Sequence, residues 1–355
     1  MSASLPLVSF LQAGAIMSTN KQKVLLLWGS RKSYAQPPIH GSKAFVYQND
    51  FFLKHRYPWH EYENTLEVSI ADAQILLSMQ DALALPLTWH IDKKNYFKAA
   101  FAEIMYFLQN GDLQKAVPYL FCNAKYRMQA SSLQYCLINA LNKINHSPGY
   151  LYGCWHYGNG ILGCTPELLF QYVASEPQTV RTMALAGTRN KNSTLAQFTE
   201  DAKEAHEHQL VINGITLAMQ KFGHVKIGTR STIEAHYLTH LVTPIEIILH
   251  KDFKFTELVN TLHPTPALGA FPKAFGKQWL QNYNTIIPRY YYGAPIGFVD
   301  SMGNASCFVG IRNIQWNRDK IFIGAGCGVV ADSVFENEWQ EIQNKIAAIK
   351  GIFTL

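Results

Sequence analysis

Charge is scarce in this 355-residue chain: Asp, Glu, Lys and Arg make up only 16% of it, against 48% hydrophobic residues. With 18 Tyr and 20 Phe, that balance excludes a disordered chain and calls for a large buried core. No block of like charges occurs, and the net charge of +6 suits a small anionic substrate rather than nucleic acid. None of the six cysteines (Cys122, Cys136, Cys154, Cys164, Cys307, Cys327) forms a CxxC pair. Zinc knuckles and disulfide frameworks are therefore not indicated, and reduced, buried thiols are expected. No apolar run reaches the roughly 18 residues that cross a bilayer, so no membrane partner is expected.

Internal repeats, low-complexity tracts and long Pro/Gly/Ser linkers are also missing. Residues 1–20 are expected to form a disordered N-terminal extension, with Met17 as an alternative start, and 21–355 a single catalytic domain. Leu5 to Met17 faintly imitates a signal peptide, ending near Ala13-Gly-Ala15, but no Lys or Arg precedes it, which favours a cytoplasmic location.

From Val24 to about Ile91 the pattern is short and irregular, with strand-like pieces at Val24–Trp28 and Ala44–Tyr47. Apolar residues in helical spacing predict a helix over Lys93–Leu108, closed by Gly111-Asp112. Lys115–Cys122 reads as a strand in which Pro118 demands an edge or a bulge. Strands are further predicted at Tyr150–His156, Leu168–Val173 and Val180–Leu185. Three antiparallel strands follow over 293–299, 306–313 and 320–325, with turns at 301–304 and 317–319. Helices are predicted over 199–222 and 336–349. Without regular βαβ alternation the fold class is α+β, mostly antiparallel.

Acidic residues, though few, are placed pointedly. Glu204 and Glu207 stand three apart on the first of those two helices, and Glu338 and Glu341 on the second. Each pair shares a helix face. Each face alone reads as a solvated amphipathic surface; two converging faces make an oxygen site for a hard cation such as Mg²⁺. A zinc site from Glu204 and His208 lacks a third nitrogen or sulfur ligand. Gly326-Cys-Gly328 lacks the spacing and following helix of a dinucleotide loop.

Six ordered segments carry a resemblance: Lys115-Ala-Val, Thr165-Pro-Glu-Leu-Leu169, Leu185-Ala-Gly-Thr-Arg189, Lys203-Glu-Ala-His-Glu-His208, His263-Pro-Thr-Pro-Ala-Leu-Gly269, and a C-terminal block. The block holds Gly310-Ile-Arg312, Gly326-Cys-Gly-Val-Val330 and Glu338-Trp-Gln-Glu341 through Lys345. Over roughly residues 92–350 these resemble the chorismate-utilising enzymes, and among them the isochorismate synthases.

The resemblance implies one large α+β domain, two packed, mostly antiparallel sheets with helices outside and the site in a cleft. It implies Mg²⁺ as cofactor and chorismate as substrate, turned into isochorismate by water addition at C2 and loss of the C4 hydroxyl. Lys115 matches the base that activates water, where aminating relatives carry glutamine. A lysine serves so only where burial or a neighbouring cation favours its neutral form. Glu167 matches the general acid, kept protonated by Leu168, Leu169 and Phe170.

Ala186 stands where aminodeoxychorismate synthases place a nucleophilic lysine, closing that covalent route, and Gly187 and Thr188 offer backbone N–H groups and a hydroxyl to a substrate carboxylate. Glu207 and Glu341 align with the metal ligands, flanked by Glu204 and Glu338. Arg312 and Lys345 match carboxylate-holding positions, with Gly326 and Gly328 as flexible backbone beside them. Tyr292-Gly293 with Gly297 resembles a family strand, and His240 and Thr243 fit a position near the ring as readily as a structural role.

His263-Pro-Thr-Pro is isochorismate-synthase wording. The alternatives are a salicylate synthase, which also eliminates pyruvate, an anthranilate or aminodeoxychorismate synthase, and a non-catalytic chorismate-binding protein. No glutaminase subunit is expected. Neither menaquinone nor siderophore supply is legible. Departures from the family are Pro118, the short 188–203 stretch, and Ser333-Val-Phe-Glu336 in place of an Asp-Pro.

Overall fold

The computed structural model describes residues 5–37, 43–79, 85–91, 93–176, 178–191, 194–199, 201–235, 237–250 and 252–355. Among them the chain opens with α1 (Leu7–Gln12), β1 (Ala13–Ser18), β2 (Lys23–Tyr34), β3 (Phe45–Gln48), β4 (Trp59–Ser69), α2 (Ile70–Leu76) and α3 (Lys94–Gln109). It continues through β5 (Lys115–Ala116), β6 (Tyr119–Lys125), α4 (Ala130–His146), β7 (Tyr150–His156), β8 (Asn159–Thr165), β9 (Leu168–Tyr172), β10 (Thr179–Asn190), α5 (Leu195–Thr199) and α6 (Ala202–Met219). Then come β11 (Gly223–Ile227), β12 (Ser231–Ala235), β13 (Leu238–Leu249), α7 (Phe255–Leu262), β14 (Ala270–Phe271) and α8 (Lys273–Ile286). The last elements are β15 (Pro295–Val299), β16 (Ala305–Val309), β17 (Asn313–Trp316), β18 (Lys320–Gly326) and α9 (Phe335–Phe353).

The expected single α+β domain is what forms, a large antiparallel sheet with helices. Its two packed layers are halves of one hydrogen-bonded path running β11-β13-β10-β9-β16-β15-β3-β4-β2-β1-β7-β8-β17-β18-β6, with β12 attached to β13. Tyr150 on β7 stacks on Phe308 of β16, ring centroids 4.9 Å apart, although five strands separate them along the path. The path therefore folds back on itself and encloses a core.

Side-chain alternation explains the pattern. Ala15, Met17, Leu25, Leu27, Val46 and Tyr152 fill the enclosed core, while Ile16, Val24, Leu26 and Trp28 join the larger core under the helices. Strands buried on both faces read as unbroken apolar runs rather than alternation, which is why Val24–Trp28 carries so little period.

Several expectations are corrected here. Residues 5–18 are no disordered extension: Phe10 and Leu11 are buried, and β1 pairs with both β2 and β7 in the middle of the path. Residues 1–4 lie outside the described residues. The irregular 24–91 region supplies three interior strands, including the eleven-residue β4. The helix expected over 199–222 forms as α6, shorter at both ends and preceded by the separate α5. The strand over 115–122 is broken at Val117-Pro118, leaving Lys115 on the two-residue β5, paired with β14. The six cysteines are buried and form no disulfide among the described residues. Among the described residues no helix is long and apolar enough to cross a membrane.

A chain started at Met17 loses Phe10, Leu11 and Ile16, each worth about 1.5–3 kcal/mol when buried, together comparable with a typical net stability of about 5–15 kcal/mol. The expected outcome is loss of the cooperative thermal transition in circular dichroism; an unchanged melt would show that β1 is dispensable.

Candidate active site

Lys115 is pinned from both sides by backbone. Phe271 is its register partner, Ala116 N donates to Val329 O (3.1 Å) and Val329 N to Ala116 O (2.8 Å), and Val117 N donates to Gly269 O (3.0 Å). Segments ending at Gly269 and beginning near Gly326 thus bracket it. Pro118 does not spoil this: its carbonyl accepts from Cys327 N at 3.4 Å. The side chain is fully buried, with Nζ 2.9 Å from Glu207 Oε1.

Glu207 comes from α6, whose start is set by Asp201: its carboxylate accepts from Glu204 N at 3.2 Å, an N-cap that places Glu204 in the first turn. Leu210, Val211, Ile215 and Met219 anchor the helix in the core. In β10 the register against β13 shifts between Ala186 and Thr188, with Gly187 at φ +79°. That bulge turns Thr188 N toward Glu204 Oε2, 2.9 Å away, and a Cβ on Gly187 would stand 2.9 Å from the same oxygen.

α9 brings the second pair. Ser333 Oγ donates to Glu338 Oε1 (2.8 Å), Lys345 pairs with Glu341 one turn away, and Lys345 Nζ donates to Gly326 O (2.8 Å). The two acidic faces do meet, and a third lysine holds them. Lys203 Nζ lies 2.9 Å from Glu204 Oε1, 2.9 Å from Glu338 Oε1 and 3.8 Å from Glu207 Oε2.

One cavity gathers Glu167, Ala186, Gly187, Thr188, Glu207, His240, Tyr292, Arg312, Gly326, Gly328, Glu341 and Lys345 on its walls. Lys115 sits behind Gly328, where an added Cβ would come within 2.0 Å of Glu207 Oε1 and 2.8 Å of Lys115 Cε. Glu204 and Glu338 line an adjoining cleft that shares Thr188 and Glu341 with the first.

Arg312, held at φ +55°, directs Nη2 to His240 Nε2 (3.1 Å), while His240 Nδ1 lies 3.2 Å from both Gly187 O and Thr188 Oγ1. Its other terminal nitrogen, Nη1, is buried with no hydrogen-bond partner, a donor suited to an anion. Two motif residues point elsewhere. His208 Nε2 faces Thr243 Oγ1 (2.8 Å) rather than Glu204, and burial first, then Arg230, lowers its pKa to about 4 and keeps the ring neutral. His263 Nε2 faces Phe51 O (2.7 Å), outside the cavity.

Electrostatics separates the carboxylates. Burial pushes Glu167 up to about 7, against the pull of Lys115, of a 3.4 Å hydrogen bond from Thr265 Oγ1, and of Lys345. Burial and the charge of Glu207 raise Glu204 to about 7, and burial with Glu341 raises Glu338. Burial works against Glu207 too, but Lys115 and Lys203 outweigh it and hold it below the usual range. Lys203 is raised because its four acids outweigh burial.

Thr265 and Lys203 stand within the motifs, where their identity is visible in the sequence and their partners are not. Arg289 went unmarked: fully buried, it donates to Tyr292 O (3.0 Å) and Leu268 O (2.8 Å), tying two cavity walls together.

A cavity walled by a protonatable acid and further carboxylates, with a buried lysine behind it, has the make-up of an enzyme's active site rather than of a binding module's surface. The family model for chorismate binding enzymes matches residues 56–354, and the chain belongs to that family. It is 30% identical over 214 residues to a salicylate biosynthesis isochorismate synthase of Pseudomonas aeruginosa, covering 59% of this chain and 45% of that one. It is 28% identical to anthranilate synthase component 1 of Acetivibrio thermocellus, covering 79% and 57%. The chain thus spans about half the length of these curated relatives. A putative 2,3-dihydroxybenzoate-specific isochorismate synthase from Bacillus anthracis superposes with a TM-score of 0.78 at 19% identity, covering 97% of both chains. The menaquinone-specific isochorismate synthase of Escherichia coli gives 0.77 at 18%, covering 99% and 92%. At such identity these two likenesses concern the fold.

Glu167's folded pKa of about 7 exceeds its ordinary 4.5, so stability held in full below pH 4.5 is lost as pH rises through 7. Relative to the native protein, Glu167→Gln gains up to about 3 kcal/mol between about pH 5 and about pH 8 in urea unfolding; equal pH slopes overturn this. Gly328→Ala overpacks the Lys115–Glu207 contact and costs about 1–3 kcal/mol by the same measurement.

Proposed function

We propose that the chain is a Mg²⁺-dependent isochorismate synthase. The observation that supports this most is the pairing of a carboxylic acid half-protonated near neutral pH, Glu167, with a buried lysine, Lys115, whose charge it feels. In this reading Lys115 takes a proton from water as the oxygen adds at C2 of chorismate. Glu167 gives its proton to the C4 oxygen, which leaves as water, so atoms balance and one proton returns from Lys115 to Glu167 to reset the site. Lys115 acts so only as the neutral amine, with its lone pair directed at the water.

Arg312 Nη1 and Lys345 meet the substrate carboxylates, with the Gly187 N–H and the Thr188 hydroxyl as further donors. Leu185, Ala267, Ile311 and Ile349 on the cavity wall exclude bulk water and strengthen these contacts. The lysine at 115 favours water over ammonia as nucleophile, so no glutaminase is required.

Glu204, Glu207, Glu338 and Glu341 fit a hard divalent cation: the donors are all carboxylate oxygens, and Glu338 Oε2 is buried with no hydrogen-bond partner. Bound there, Mg²⁺ would neutralise a substrate carboxylate and draw charge from the ring.

Incubation with chorismate and Mg²⁺, with and without ammonium, is expected to give isochorismate alone by chromatography. Salicylate with pyruvate would move the enzyme to the eliminating branch, and an ammonium-dependent product would overturn the role of Lys115. Lys115→Ala and Glu167→Gln are each expected to lower kcat by at least about 10²–10⁴-fold with folding intact. Glu341→Ala is expected to lose activity together with Mg²⁺ dependence. Full activity in any of the three removes that residue from the mechanism.

A further inference from the structure

The carboxylate cluster is built with its own cation. Among the described residues no three acidic, His or Cys side chains stand together in metal-holding geometry. The ammonium group of Lys203 lies between the acids instead, 2.9 Å from Glu204 Oε1 and from Glu338 Oε1 and 3.8 Å from Glu207 Oε2, thereby joining α6 to α9. These contacts engage three of the four carboxylates read above as the divalent-cation site, and the inference rests on that reading. A carboxylate oxygen directed at an ammonium at hydrogen-bond distance is not available in the same geometry to a metal, so the two cations compete for the same lone pairs.

Lys203 has somewhere to go. Its side chain is partly exposed and lines the adjoining cleft, whose wall also carries Asp201 and Asp332. Lys115 is fully enclosed, and Lys345 is held by Gly326 O as well as by Glu341. Of the three lysines in the cluster, Lys203 is the one that bridges both acidic helices and opens on the cleft.

We propose that Lys203 is a resident competitor cation: it holds the acidic faces of α6 and α9 together and yields Glu204, Glu207 and Glu338 when a divalent cation binds, thereby setting the affinity of the site for metal. Lys203 is a positioning residue in this role and touches neither the ring nor the reacting atoms. Removing its charge relieves the competition and leaves the acids to repel one another until a metal arrives.

The test uses the full chain and the metal alone, without chorismate. Mn²⁺ is titrated into native protein, Lys203→Met and Lys203→Gln, with free Mn²⁺ read by electron paramagnetic resonance. Both variants are expected to bind about tenfold tighter than native protein. Their melting temperatures in EDTA are expected to fall, and the rise on adding Mg²⁺ to exceed the native rise. Amine labelling of native protein followed by peptide mapping gives a readout that through-space repulsion would not move: Lys203 is expected to label faster with Mg²⁺ present. Equal or weaker Mn²⁺ binding by both variants, or labelling of Lys203 indifferent to Mg²⁺, overturns the inference and leaves the functional reading standing. If neither native protein nor variants bind Mn²⁺, the metal-site reading falls and this inference with it.

Discussion

Four carboxylates and three lysines share one buried region, and the active site is organised around balancing them. Two helices from distant parts of the chain each deliver a pair of acids to the same place, which is costly unless cations are interleaved. Lys115 answers Glu207, Lys345 answers Glu341, and Lys203 spans Glu204 and Glu338. Burial first, and then the charge of the neighbouring acids, raises Glu204 and Glu338. One oxygen of Glu338 is buried with no hydrogen-bond partner among the described residues.

That arrangement depends on the folded-back sheet. β10 carries the bulge that aims Thr188 at Glu204, and β18 leads into Gly326–Gly328, behind which Lys115 lies. The two strands sit near opposite ends of the hydrogen-bonded path. Only because the path closes on an apolar interior filled by Met17, Leu27, Tyr152 and Phe308 do its ends face one another across the cavity. The described residues among the first seventy line none of that cavity and matter to the site by supplying the strands in the middle.

Much of the site was legible because chemistry restricts residue type and spacing. The i, i+3 acids of α6 and α9 are read from helical spacing, and Lys115 and the Thr-Pro-Glu segment from the family resemblance. Twelve of the expected residues do line one cavity. Three do not: Lys115 lies behind its wall and Glu204 and Glu338 beside it, distinctions of depth that spacing does not encode. The N-terminal strands were illegible for a physical reason, since burial on both faces erases the alternation by which a strand is read. Helices α4, α7 and α8 and strands β11 to β13 carry no chemical motif, although α7 buries Phe255, Leu258, Val259 and Leu262 at the spacing of an amphipathic helix.

The sequence alone determined the inventory: which residues can donate or accept a proton, which pairs share a helix face, and that so apolar a chain must bury a large core. Those are properties of residue type and local period, fixed before any long-range contact forms. Tertiary structure decided what each group does. It made Glu167 an acid poised near neutrality by desolvating it, kept Glu207 ionised by setting Lys115 against it, and turned His208 and His263 away from the cavity. It also placed Lys203 between helices that the sequence keeps more than a hundred residues apart. Depth and the sign of the nearest charge are set by contacts between distant segments, so they exist only once the chain has folded.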